Sequence, residues 1–203
     1  MIMNLTSRLS NARDWIVISL DHEQDHSVHT FQTTTRLLGG LLSAHYLSTT
    51  YPDMAPMVDD EEGAASDDLK DIYLEKAVDL ADRLGGAFES SSWIPHESVN
   101  LKTRKGQSSS DDAGISSTSG AASVQLEMKY IAKLTGEKSY WDQAEKVMQV
   151  IDNNGAADGL VSTSIDTSTG LFKGSNIRLG SGGDSYYGVS LLYTRLLPSL
   201  YCC

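Results

Sequence analysis

Between Ser139 and Asn153 the apolar residues Tyr140, Trp141, Ala144, Val147, Met148 and Ile151 recur on one helix face. This periodicity limits the possible folds more than any other feature of the chain. The same opening occurs once before, where Tyr73-Leu74-Glu75-Lys76-Ala77 anticipates Tyr140-Trp141-Asp142-Gln143-Ala144. In both places an apolar helix and a loop come first. Repeated helical hairpins bury their apolar faces only against neighbours, so the pattern predicts a solenoid or a closed α-toroid.

The remaining helices follow from the same spacing. One is predicted over 7–20 and a second over 32–47, with Leu37, Leu38, Leu41, Leu42 and Tyr46 in register. Gly39 and Gly40 interrupt the second, each at about 1 kcal/mol relative to alanine, which argues for a neighbour packed close against them. A third helix is expected over 68–87, and a fourth over 121–134, stopping at Thr135-Gly136. The fifth is capped by Ser139 with Asp142 three residues on, and ends at Asn153-Asn154-Gly155. A sixth opens near Asp184. A β-hairpin is expected over 160–173, turning between Asp166 and Gly170. The polar stretches 49–68 and 102–119 are expected to be flexible loops, the first holding Pro52, Pro56 and an acidic run.

Charge and composition exclude several functions. With 40% hydrophobic and 21% charged residues, the 203-residue chain is ordinary globular material. A chain of this length buries roughly 70% of the surface it exposes when unfolded. Its 16 basic and 27 acidic residues leave a net charge of −11, which opposes the phosphate neutralisation that drives nucleic-acid binding. The two cysteines, Cys202 and Cys203, are adjacent and set up no disulfide framework. No apolar run reaches the roughly 18 residues of a membrane segment, and the first residues lack a signal-peptide core.

His22-Glu23-Gln24-Asp25-His26 spells HExxH, which on a helix sets two imidazoles on one face to hold zinc, with the glutamate as base. Its neighbours are polar where a zinc helix needs an apolar face, so a solvated loop is the plainer expectation and a zinc metallopeptidase the alternative. Gly183-Asp184-Ser185 has no histidine after it, the last being His96, which argues against a Ser-His-Asp hydrolase.

Thr30-Phe31-Gln32-Thr33-Thr34-Thr35-Arg36, followed by Leu37-Leu38-Gly39-Gly40-Leu41-Leu42-Ser43-Ala44, resembles the signature of the class I α-1,2-mannosidases, glycoside hydrolase family 47. Further blocks follow in that family's order: Ile94-Pro95 with Val99-Asn100-Leu101, Gln125-Leu126-Glu127 running to Thr135-Gly136, Asp158-Gly159-Leu160-Val161, and Ile177-Arg178-Leu179-Gly180 leading to Asp184-Ser185-Tyr186-Tyr187. The resemblance covers nearly the whole chain. It implies an all-α fold, an incomplete (α/α)7 toroid of helical hairpins with a small β-hairpin insertion, and 1–203 as part of one catalytic domain. The implied activity is calcium-dependent, inverting removal of α-1,2-linked mannose from high-mannose N-glycans. The implied compartment is the endoplasmic reticulum, the Golgi or the cell exterior.

Residue by residue, the resemblance also marks departures. Gln32 stands where the family carries a glutamate acting as catalytic acid. An amide has no proton to give, and loss of a general acid costs roughly 10²–10⁴-fold in rate. Ser119-Gly120 replaces the family's Ala-Glu, Gly182 an arginine, and Gly188 a glutamate. Asp184 matches a catalytic carboxylate of the family and Arg36 a substrate-binding arginine. Read on their own, Asp184 is a helix cap and Arg36 half of an ion pair. The family's calcium ligand has no counterpart here, and no residue of this sequence is assigned to a metal. The expectation is an inactive mannosidase-type chain, with a non-catalytic glycan- or partner-binding module as the alternative.

Overall fold

The computed structural model describes residues 3, 5–52, 72–107, 114–155 and 158–196. In chain order these form α1 (Thr6–Ile18), β1 (Ser27–His29), α2 (Thr30–Gln32), a π-helical segment (Thr33–Leu38), α3 (Gly39–Thr50), α4 (Ile72–Leu84) and a 3-10 turn (Gly85–Phe88). Then come β2 (Ser98–Asn100), β3 (Lys105–Gln107), β4 (Ile115–Ser117), α5 (Thr118–Ser123), α6 (Gln125–Thr135), α7 (Lys138–Asn153), β5 (Ser164–Asp166) and α8 (Asp184–Leu196).

Helices pack in pairs, α3 on α4, α6 on α7 and α5 on α8, as the periodicity predicts. The internal repeat is structural. Tyr73 and Tyr140 are both buried at the start of their helices, and Ala77 and Ala144 lie one turn on with no exposed surface. Tyr140 also donates its hydroxyl proton to Asp82 Oδ1 at 2.6 Å, tying α7 to α4. Leu38, Leu80, Leu84, Met128, Ile131, Val147 and Ile151 make one core between the pairs. α6 stops where expected, at Gly136 in the left-handed region with φ of 77°.

The second predicted helix is a single rod over 30–50, but its middle is a π-helix. The backbone stays helical through Gln32 and Leu38, while the Gly39 amide donates to the carbonyls of Thr34 and Arg36. Such local widening marks functional segments more often than inert ones.

Other expectations need correction. The stretch 102–119 holds β3, β4 and the first turn of α5 rather than only a loop. Of the predicted 49–68 loop, Thr49 and Thr50 close α3, and 53–68 lies outside the described residues. α7 begins at Lys138 with Glu137 at the cap position, so Ser139 is not the cap. The predicted hairpin is present, its turn closed by the Gly170 amide on Asp166 O at 2.8 Å and its arms joined by the bridge Ile165↔Phe172 and by bonds from Asp166 N to Leu171 O at 2.9 Å and from Lys173 N to Ser164 O at 2.8 Å. Strand β5 pairs chiefly with β4, and β1, β2 and β3 form a second antiparallel sheet. That sheet seats the start of the 30–50 rod, through Val28↔Val99 and Val99↔Gly106.

Candidate active site

Three segments that sequence analysis marks separately meet at α5. Ser117 ends β4 and caps α5, accepting a bond from the Gly120 amide at 3.1 Å. The Ser119 amide donates to Gly182 O at 3.1 Å, which docks the loop before α8 against α5. A Cβ on Gly120 would lie 2.6 Å from Ser117 Oγ and 3.5 Å from Phe31 Cβ, so α5 also abuts the start of the rod. Positions 31–32, 119–120 and 182–184 therefore form one neighbourhood.

Beside that neighbourhood His29 Nε2 and Glu97 Oε1 lie 3.5 Å apart, and both residues line a small pocket with Phe31 and Gly120. Gln32 is exposed, and its backbone N–H donates to His29 Nδ1 at 3.5 Å. Gly182 holds φ of 88°, a conformation that disfavours any side chain there, and its missing Cβ leaves room for Thr163. Gly188 is exposed on α8 with open space where a Cβ would be. Asp184 is exposed and accepts from the next amide, Ser185 N, at 2.8 Å. That bond to the adjacent residue is not the N2 or N3 contact of a helix cap.

One turn along the rod, the π segment and α3 face α6 across a cleft of about 450 Å³. Its lining includes Thr35, Arg36, Gly39, Leu126, Glu127 and Tyr130. Arg36 is exposed and makes no ion pair among those of the described residues, contrary to its plain structural expectation. The close neighbour expected of the glycine pair is real for Gly39, where a Cβ would sit 3.2 Å from Glu127 Oε1. Gly40 faces open space. Glu127 Oε2 is buried without a hydrogen-bond partner, and burial pushes its carboxyl up to about 7. The structure thus brings Arg36 to the cleft, while neither Gln32 nor Asp184 lines it. Glu127 was noticed only as part of a motif block. The glycine pair signalled a close neighbour without saying which one.

The HExxH alternative fails on geometry. Residues 22–26 are extended chain between α1 and β1, not a helix, so the two imidazoles do not share a face. His22 is buried with Nδ1 3.1 Å from Asp79 Oδ2, whereas Glu23 and His26 face solvent. Burial holds His22 below its usual range, partly offset by Asp79. Among the described residues no three carboxylate, imidazole or thiolate groups converge on one point. The described residues therefore offer no carboxylate cluster of the kind that holds a calcium ion.

Paired helices around a shared core, with a pocket between the first rod and its neighbours, make an all-α scaffold of helical hairpins. The sequence matches the profile of Glycosyl hydrolase family 47 over residues 1–198, and the chain belongs to that family. It is 50% identical over 187 residues to the mannosyl-oligosaccharide 1,2-alpha-mannosidase of Candida albicans, covering 92% of this chain and 30% of that protein. It is 40% identical over 190 residues to the endoplasmic reticulum mannosyl-oligosaccharide 1,2-alpha-mannosidase of Schizosaccharomyces pombe, covering 92% of this chain and 32% of the relative. The chain spans about a third of the length of these curated relatives. Its fold superposes on an alpha-1,2-mannosidase from Trichoderma reesei with a TM-score of 0.80, at 24% identity, over 95% of this chain and 39% of the other. Among the described residues, no helix is long and apolar enough to cross a membrane.

Proposed function

We propose that residues 1–203 carry part of an α-1,2-mannosidase-type catalytic domain that meets the mannose residues of N-glycans and hydrolyses them negligibly. Inverting hydrolysis needs one carboxyl to protonate the leaving oxygen and a second, roughly 6.5–9.5 Å away, to activate water. The observation that supports the reading is the convergence at α5 of the start of the rod, next to Gln32, with Gly120 and the loop through Gly182 that leads into Asp184. Asp184 can take a proton from water, but the Gln32 amide cannot supply one to the departing sugar.

The endoplasmic reticulum, the Golgi or the exterior is the compartment proposed, because relatives such as that of S. pombe are named for the endoplasmic reticulum. Calcium dependence is proposed for the family's complete site only. Binding without turnover is a second reading, favoured by the cleft, where Arg36 and Glu127 present a donor and an acceptor side by side. Gln32→Glu tests the first reading. Because Gly120, Gly182 and Gly188 stay neutral, the variant is expected to release no mannose from an α-1,2-mannobioside with calcium present. Turnover restored by that one change would refute it.

A further inference from the structure

We infer that Glu127 is a sugar-hydroxyl acceptor in the cleft between the π segment and α6, and that it binds in its ionised form. The inference rests on the reading that this chain binds mannosides, and names a residue and a protonation state for it.

The geometry comes first. Glu127 Oε2 is enclosed in the wall of the cleft with no partner, and a buried acceptor left empty is destabilising. Its other oxygen lies against Gly39, where the absent side chain lets the carboxylate approach the rod's backbone. Arg36 on the π segment and Tyr130 on α6 share the cleft with Glu127, and Tyr46 of α3 acts on Tyr130. Charges on the other elements against α6 are engaged elsewhere. Asp79 of α4 pairs with Arg83 and His22, Asp82 of α4 bonds Tyr140, and Glu145 of α7 pairs with Lys129. Arg36 is the cation among the described residues that shares the cleft with Glu127.

The lining mixes one acceptor, the guanidinium fork of Arg36, the Thr35 and Tyr130 hydroxyls, and the apolar surface of Leu42 and Leu126. A pyranoside fits that mixture. Its vicinal hydroxyls donate to a carboxylate and accept from a guanidinium, while its C–H face lies on apolar surface. A hydroxyl donating to Glu127 stabilises the ionised carboxylate, so ligand and proton compete.

The test is a titration of the 203-residue chain with α-1,2-mannobioside, followed by NMR at about pH 6 and about pH 8. With the carboxyl near 7 in the free protein, affinity should rise roughly tenfold between them, the ratio of ionised fractions. The Glu127 carboxyl carbon should titrate at lower pH with ligand bound, and Glu127→Gln should bind weakly with no pH dependence. Binding that is equal at both pH values and unchanged in Glu127→Gln overturns this inference and leaves the mannoside reading standing. Absence of binding by the unaltered chain at either pH overturns both.

Discussion

The cleft between the π segment and α6 and the neighbourhood around α5 are built on the same rod, yet they differ in what fills them. In the cleft, one missing side chain at Gly39 makes room for a carboxylate, and charge is retained. Around α5, the spaces left by the missing side chains at Gly120 and Gly182 are filled by neighbouring atoms of Ser117, Phe31 and Thr163. A glycine in a site can thus open it or close it, depending on whether a polar group or packing enters the space. Packing survives either way, because the core lies between the helix pairs and not at these edges.

Replacing a core residue should have the largest effect. Ile131→Ala, fully buried on α6, is expected to cost about 2–5 kcal/mol, while Asp184→Ala on the exposed edge stays within about 0.5 kcal/mol. Chemical denaturation of both variants measures the contrast. Equal losses would mean that the α5 edge carries the fold after all.

Glu127 sharpens the comparison next. Its folded carboxyl, near 7, lies above the unfolded value of 4.5, so the folded chain holds a proton that the unfolded chain releases. The associated stability is full below about 4.5 and lost as pH rises through about 7. Glu127→Gln has no proton to lose and should be more stable than the unaltered chain at about pH 8, by roughly 3 kcal/mol at most, with little difference near pH 4. Melting temperatures across that range read the effect directly.

His22 acts in the opposite sense and more weakly. Burial lowers its folded value below 6.5, so its contribution is present above 6.5 and lost as pH falls through that value towards the folded one. His22→Gln should flatten the acid-side slope of stability and leave the alkaline side alone. An unchanged slope would mean that the loop over 20–26 is not docked on α4 through this contact.

Much of the fold could be read from the sequence. The faces of α4 and α7 repeat at helical spacing because each packs against a helix along its whole length, and the repeated Tyr and Ala positions mark the same contacts. The π segment was not legible. Leu37, Leu38, Leu41 and Leu42 fit ordinary spacing, and a local shift to i→i+5 bonds leaves no trace in a leucine pattern. Strands such as Ser-Val-His over 27–29 and Lys-Gly-Gln over 105–107 are too short to show alternation. In the candidate site, the neutral residues Gln32, Gly120 and Gly182 could be read from the sequence. The docking of the loop before α8 on α5 could not, because a backbone bond, Ser119 N to Gly182 O, makes it. Glu127 stayed hidden for the same reason: its partner is the absence of a side chain on another helix.

Mannose release from an α-1,2-mannobioside by the purified, unaltered chain, with calcium present, tests the central claim most directly. The result expected under the proposed function is no sugar above the protein-free blank. Release that scales with protein concentration and survives removal of contaminating glycosidase would contradict it.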